Sequence, residues 1–535
     1  MAAVQPTTDA PTARLPVASK KTGLSAISYR SPRRLTAAPV AQTPIVILCS
    51  MRGATRASRR PGYSSSFAKA MPKMGDMTPR PASTGAAIAP GIVISAGFIL
   101  TLLVDWPGHL SYDSVLQLLQ GRTGVYNTWH PPVMAWMLGL GDAIMPGAAL
   151  FVTFQAALCF GALLSLLAFN RSRSGWPAAL VALACIAAPQ FLLYQGIVWK
   201  DVLFADAAVA SFVCLAHVAR VWPSPILRTA VLSASVLLLA LAALTRQNGL
   251  IVLPLGAMAS GLIAWRQTKS ATVGISFGLA MLTSATVLAG GATLALNTRS
   301  DGDPGPREQF DLLEVYDLSA AIAADPRLGL TILSRTDPKL SRLISVEGAR
   351  LYTPVRSDPI AASQPLMTAL RKSNAAALDE EWYALIFRHP LIYLTNRTHI
   401  FWWVLATQDI FQCRPLFAGV EGPPAALKTL GMSRRWSAKD DALRAYGMSL
   451  LNTPVFSHLA FGALALAALF LLLRRRRPPD IAIALLLVAT LVFTASFFVI
   501  SIACDYRYLY FLDLSALFAL FYLSLDVRSA LRGIP

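Results

Sequence analysis

Ile481-Ala-Ile-Ala-Leu-Leu-Leu-Val-Ala-Thr-Leu-Val-Phe-Thr-Ala-Ser-Phe-Phe-Val-Ile-Ser-Ile-Ala503 runs for 23 residues without a charge and follows directly on Arg474-Arg475-Arg476-Arg477 and a short Pro-Pro-Asp turn. A helix rises about 1.5 Å per residue and a bilayer core is about 30 Å thick, so about 20 apolar residues make one crossing. The stretch is therefore a membrane span with a basic anchor at one end. Working outward, runs of the same kind occupy 86–104, 147–169, 177–194, 202–219, 229–244, 249–265, 271–295, 454–473 and 507–525. Together they predict an all-α integral membrane protein of about ten spans.

Composition agrees with that expectation. Of 535 residues 55% are hydrophobic and 14% charged, where an ordinary soluble domain carries about 25% charged residues. Most soluble enzymes are excluded, and so is a disordered chain. Six cysteines in this length exclude a disulfide scaffold. Cys159, Cys185 and Cys214 sit in apolar runs as small core residues, whereas Cys413 and Cys504 lie where they could face an oxidising compartment and pair.

The net charge of +19 is unevenly spread, because residues 1–80 alone hold 13 Lys or Arg and two acids. That segment, rich in Ala, Pro, Ser and Thr, reads as a disordered basic cytoplasmic tail. No aromatic or glycine pattern accompanies its charges, so no nucleic-acid partner is expected. Its one apolar patch, Pro44–Cys49, is too short to span. Met71, Met74 and Met77 precede the first long run, and a start at one of them would leave residues 1–70 outside the native protein.

Two shorter runs, 131–145 with Asp142 and 390–406 with Arg397 and His399, are settled by the distribution of cations. Short basic loops belong on the cytoplasmic side. Arg171 with Arg173, Arg220 with Arg228, Arg266 with Lys269, Arg474 to Arg477, and Arg528 with Arg532 all fall on one side only if neither short run crosses. The first is then a juxtamembrane or re-entrant helix, the second an interfacial helix, and both termini are cytoplasmic. Twelve spans remain the alternative. The opposite face receives a first loop, 105–146, and a long segment, 296–452, with 18 basic and 17 acidic residues and apolar patches such as Leu312, Leu313, Val315, Tyr316 and Leu318. A connection of that length is expected to form a small, mainly helical extracytoplasmic domain. The organisation is thus a tail (1–80), an N-terminal membrane core (81–295), a loop domain (296–452) and C-terminal spans (453–535).

Ionisable residues at span ends are costly to insert and persist mainly where they are used or solvated. Nearly all of them point to the non-cytoplasmic face. Asp105, His109 and Asp113 follow the first span, Arg122, Trp129 and His130 precede the short run, and Lys200 and Asp201 open the fourth span. Arg246, Gln247 and Asn248 join the fifth to the sixth, and Asp505 and Arg507 open the last. Five chain segments deliver carboxylates, histidines and cations to one membrane face, which is the layout of an active-site cleft. For Trp199, Tyr506 and Tyr508 an interfacial-anchor role explains the placement equally well.

The strings Trp106-Pro-Gly-His-Leu-Ser-Tyr-Asp113-Ser-Val-Leu-Gln117 and Tyr126-Asn-Thr-Trp-His130-Pro-Pro132 resemble the first extracytoplasmic loop of the GT-C glycosyltransferase superfamily. The likeness is to its bacterial protein-mannosyltransferase and aminoarabinose-transferase-like members. Trp199-Lys200-Asp201, Thr245-Arg246-Gln247-Asn248-Gly249 and Asp505-Tyr506-Arg507-Tyr508 are similar to that group as well. The resemblance implies a GT-C-type bundle of 10 to 12 helices in the inner membrane, with its active site at the periplasmic face. It also implies a donor sugar carried on polyprenyl phosphate and transferred to an acceptor glycan, lipid or protein.

By resemblance the acid of the first loop is catalytic, which maps to Asp113. Relatives often have two adjacent acids there. This chain has Asp113-Ser114, with Asp105 eight residues earlier, and whether Asp105 contributes stays open. A general base at Asp113 would accept the acceptor hydroxyl's proton, in a cleft expected to raise its pKa. Lys200, Arg246 and Arg507 are the candidate phosphate ligands, and His130, Asp201 and Asn248 could contact the sugar. No His pair, Cys cluster or Asp-x-Asp string marks a metal site, although a divalent cation is used by some GT-C enzymes. The competing expectations are a transporter or flippase of lipid-linked saccharides, for which Asp206 and Asp513 would be the mid-span charges, and a glycan polymerase or ligase.

Overall fold

In hydrocarbon every backbone N–H and C=O must be satisfied within the chain, so long apolar runs become helices. The computed structural model describes residues 84–127, 129–171, 175–298 and 305–526. The tail 1–80, Arg173, Arg528 and Arg532 lie outside the described residues.

The main helices are α1 (Thr84–Asp105), α2 (Tyr112–Thr123), α3 (Val133–Ile144), α4 (Ala149–Ser165), α5 (Trp176–Ile186), α6 (Pro189–Leu192), α7 (Lys200–Val221), α8 (Pro225–Thr245), α9 (Val252–Thr268) and α10 (Ala271–Asn297). They are followed by α11 (Gly305–Ala324), α12 (Ala375–Arg388), α13 (Pro390–Ala406), α14 (Ala438–Leu450), α15 (His458–Arg475), α16 (Pro478–Ile500) and α17 (Tyr510–Ser524). Among the described residues there is no β-strand, only isolated bridges. Among the described residues eight helices are long and apolar enough to cross a membrane, or nine if a bent pair counts as one span. The chain is an all-helical protein with the helices of a multi-pass membrane protein.

The difference from ten has local causes. The run 177–194 is broken into α5 and the segment Pro189–Gly196, bent by 65°, because the Pro189 ring cannot continue the helix before it. The run 507–525 starts as a 3-10 turn, Tyr506–Leu509, and leaves α17 with 15 residues. The run 131–145, outside those ten, forms α3, whose 12 residues are too short to cross.

α7 and α17 are buried on almost every side, so they form the centre of the bundle. Phe204 of α7 stacks on Phe493 of α16 with ring centroids 4.7 Å apart and meets Phe511 of α17 edge-on at 5.1 Å. Outside the bundle centre, α2 and α3 cross backbone to backbone at Gly121 and Gly139. A Cβ on Gly121 would lie 2.2 Å from the Ala135 carbonyl oxygen. Only glycine permits that approach, which fixes the direction of α2 and the side chains at its start.

The segment 296–452 is built in two ways. Its first part packs around its own apolar core, with Leu312, Val315, Tyr316, Leu340, Leu366, Trp382 and Ile400 among its residues. Buried Arg397 is held there by Asp317, which also accepts from the Trp382 indole at 2.8 Å. From Val404 onward the chain instead joins the cores of the membrane bundle. Leu110 pairs with Val420 in a parallel bridge, and a disulfide joins Cys413 to Cys504.

Candidate functional site

Asp113 stands in the first turn of α2, Lys200 and Asp201 open α7, Arg246 ends α8, and Arg507 lies in the turn that leads into α17. Three helical segments thus begin at one place, bringing the positive ends of their backbone dipoles with them. Backbone pairing holds the loops together. His109 N–H donates to the Gly196 carbonyl at 2.9 Å and Val198 N–H to the His109 carbonyl at 3.0 Å. The Trp199 indole donates to Ser111 Oγ at 3.1 Å.

Arg507 is the hub. Its Nη2 lies 3.3 Å from Asp113 Oδ2 and 3.2 Å from Asp505 Oδ2, its Nε lies 3.7 Å from Asp201 Oδ2, and its guanidinium sits 5.0 Å over the Trp199 ring. One cation therefore serves three carboxylates. Arg246 pairs with Asp201 and is flanked by Phe493, Phe497 and Tyr508 at 5.3 to 5.5 Å. With 7% of its surface exposed, its charge reaches the open part of the cluster through Asp201 and Arg507. Lys200 Nζ lies 3.0 Å from His130 Nδ1 and forms no ion pair among the described residues.

These contacts set the protonation states. A charged lysine can only donate, so beside the Lys200 ammonium His130 Nδ1 accepts and its ring proton is placed on Nε2, 4.0 Å from Asp113 Oδ1. Burial, and then the Lys200 charge, push the His130 imidazole down to about 3. Burial pulls the Asp113 carboxyl upward, but Arg507, His130 and Lys200 outweigh it and hold it below its ordinary 3.8. The expectation of a raised pKa at Asp113 is corrected by these neighbours, Arg507 foremost, whose positions depend on three other segments of the chain. A narrow cleft, with room for about one water, opens between Asp113, Gln117, His130, Trp199, Lys200 and Arg507.

Six of the sequence-derived candidates, Asp113, His130, Lys200, Asp201, Arg246 and Arg507, meet in this cluster. Asp105 and Asn248 do not join it. Asp105 is wholly buried at the end of α1, where its Oδ1 accepts from His109 Nε2 at 3.1 Å. Gly196 packs so closely on it that a Cβ would come within 2.2 Å of Asp105 Cβ. His109 Nδ1 in turn accepts from the Gly419 N–H at 2.9 Å and lies 3.4 Å from Asp440 Oδ1. Asp105 and His109 are thus a clasp between the first loop and the residues around Gly419 and α14. Asn248 donates to Ser496 Oγ at 3.1 Å, tying the start of α9 to α16.

The sequence gives no local signal for Gln309, near the start of α11. Its amide donates to the Trp129 carbonyl and accepts from Gln247 Nε2 at 2.8 Å. It braces the turn carrying His130 against the turn carrying Arg246. Among the described residues no group of three or more His, Cys, Asp or Glu is placed to hold a metal ion. No known protein family, characterised protein or solved structure matches the chain.

Proposed function

We propose that the protein is a membrane glycosyltransferase of GT-C type that moves a sugar from a polyprenyl-phosphate carrier to an acceptor hydroxyl at the face where Asp113 lies. The observation that carries the reading is an ionised, partly exposed carboxylate beside the shared cation Arg507 and the carboxylate-free cation Lys200. The base and the phosphate ligands are thus within one small cavity. Asp113 takes the proton of the acceptor hydroxyl as its oxygen bonds to the anomeric carbon. The bond from that carbon to the phosphate oxygen breaks, its electron pair leaves with the polyprenyl phosphate, and Arg507 and Lys200 meet the charge that develops.

Arg246 and Asp201 keep Arg507 in position, and His130 directs Lys200. The carboxylates present are already committed to guanidinium groups, so they do not suit a divalent cation. The Cys413–Cys504 disulfide lies next to Asp505, which supports placing this face in an oxidising compartment, the periplasm in a bacterial cell. Selection of the acceptor falls to the segment 296–452, which touches the site through Gln309.

One observation favours a second reading, a flippase of lipid-linked saccharides. Beneath the site, Asp513 bonds His458 at 2.8 Å and Tyr506 at 2.7 Å, while Gln195, from the bent α5–α6 segment, bonds Asp206 at 2.9 Å. Broken helices and buried carboxylates are transporter features. The test is incubation of the purified protein with a panel of polyprenyl-phosphate sugars and candidate acceptors in liposomes. Release of polyprenyl phosphate supports the transferase. Movement of intact donor between leaflets without release supports the flippase.

A further inference from the structure

A groove runs along the membrane-facing side of α8, α9 and α10. It starts at the ends of α8 and α10 opposite the Asp113 cluster, since Arg228 and Ser276 lie near the N-termini of helices whose other ends lead toward Arg246 and the segment 296–452. We propose that this groove binds a membrane phospholipid with an anionic headgroup, drawn from the leaflet remote from Asp113. The site is separate from the transfer site and does not depend on the glycosyltransferase reading.

The mouth is built for an anion. Arg228 lies in the first turn of α8, with its guanidinium 4.7 Å over the Trp222 ring and 5.9 Å from that of Phe277. Its Nη1 donates to the Trp222 carbonyl at 3.2 Å, and it forms no ion pair among the described residues. A guanidinium held against two rings keeps its position while offering further N–H groups. That is the geometry in which arginine takes a phosphate oxygen pair.

The next level is polar and the remainder apolar. Thr229, Ser233 and Ser276 follow Arg228 along the groove. A hydroxyl in hydrocarbon costs a few kcal/mol unless it finds a partner, and phosphate and ester oxygens of a phospholipid are acceptors at that depth. Deeper in, Val236, Leu237, Met281 and Leu288 line the walls with Ser284 among them, and Ser260, which donates to the Phe277 carbonyl at 3.5 Å, lines the α9 side. From Ser276 to Leu288 the helix rise gives about 18 Å, close to one leaflet of a hydrocarbon core about 30 Å thick. Charge, hydroxyls and apolar wall thus follow the order of phosphate, ester and acyl chain in a single lipid.

The experiment uses the full-length protein in neutral detergent, with binding of dioleoyl phosphatidylglycerol and dioleoyl phosphatidylcholine measured by native mass spectrometry and by the shift in thermal unfolding. Wild type is expected to prefer the anionic lipid about tenfold, the worth of one charge-assisted contact. Arg228→Gln should lose that preference, Arg228→Lys should keep part of it, and Ala280→Phe, which fills the groove, should weaken both lipids. Lys269→Gln, an exposed charge in the α9–α10 turn outside the groove, should change nothing. Free glycerol phosphate should neither bind nor compete. The proposal fails if Arg228→Gln keeps the preference, if Lys269→Gln loses as much, if Ala280→Phe binds like wild type, or if glycerol phosphate competes.

Discussion

Charges gather at both ends of the bundle, but they are arranged differently. At the end remote from Asp113, Arg475 holds Asp480 at 2.9 and 2.5 Å through two nitrogens, Tyr522 adds a third bond to Asp480 at 2.8 Å, and Arg477 pairs with Asp526 at 2.5 Å. Arg475 and Arg477 each have one carboxylate of their own, at close range. At the Asp113 end one guanidinium is shared among three carboxylates at 3.2 to 3.7 Å, and Lys200 rests on a neutral histidine. Closed pairs hold helices together and have little left for a ligand. A shared cation and a carboxylate-free lysine have capacity that an anion can fill, and the cavity lies where it would do so.

The contrast can be broken by substitution. The largest effect is expected for Asp113→Asn, which should lower transfer by about a thousandfold while leaving the unfolding temperature within a degree or two of wild type, because its side chain is 40% exposed. At the other end Asp480→Asn should do the reverse. It leaves Arg475 buried without its partner and should cost about 3 kcal/mol of stability, read as a lower unfolding midpoint with kcat per folded molecule retained. Equal loss of activity in both variants would mean that the two ends do not differ in kind.

A comparable effect is expected at the brace of the site. The Cys413–Cys504 bridge closes a loop with a sequence separation of 91. Cys504→Ser should therefore cost about 3 kcal/mol, measured as the loss of unfolding temperature, with reducing agent lowering wild type to the same value. Arg507→Lys comes next. A lysine cannot reach Asp113, Asp201 and Asp505 with a planar fork, and a loss of about thirtyfold in kcat/KM is expected.

The smallest effect concerns pH. An Asp113 pKa held below 3.8 in the folded state means that its ionised form stabilises the fold at every pH above the unfolded value. That contribution is lost only as pH falls through the lower folded one. His130, pushed down to about 3, stays neutral over the same range. Neither group should add an inflection to the rate between pH 5 and 8, and an acid limb near pH 6 that disappears in Asp113→Glu or His130→Gln would contradict these states.

The helical fold and most of the cluster could be read from the chain because polar residues flanking long apolar runs stand out. Asp113, His130, Lys200, Asp201, Arg246 and Arg507 were found in that way. Direction was not readable. Nothing in the spacing tells that Asp105 turns to His109 under the backbone of Gly196, or that Asn248 turns to Ser496 and not toward Asp201. The sign of the Asp113 shift is not readable for the same reason, since it depends on Arg507 above all, with Lys200 and His130, from other segments. α17 reads as one more span, yet its first residues are taken by the 3-10 turn that presents Arg507. Gln309 lies in a polar helix start whose contacts are wholly tertiary.

The most direct measurement is single-turnover release of polyprenyl phosphate from a lipid-linked sugar by wild type and Asp113→Asn in the same liposomes, with far-UV circular dichroism and unfolding temperature recorded for both. Release by wild type and its loss in a folded Asp113→Asn protein is the expected result. Equal release by both proteins, or donor movement across the liposome by both without any release, would contradict a chemical role for Asp113.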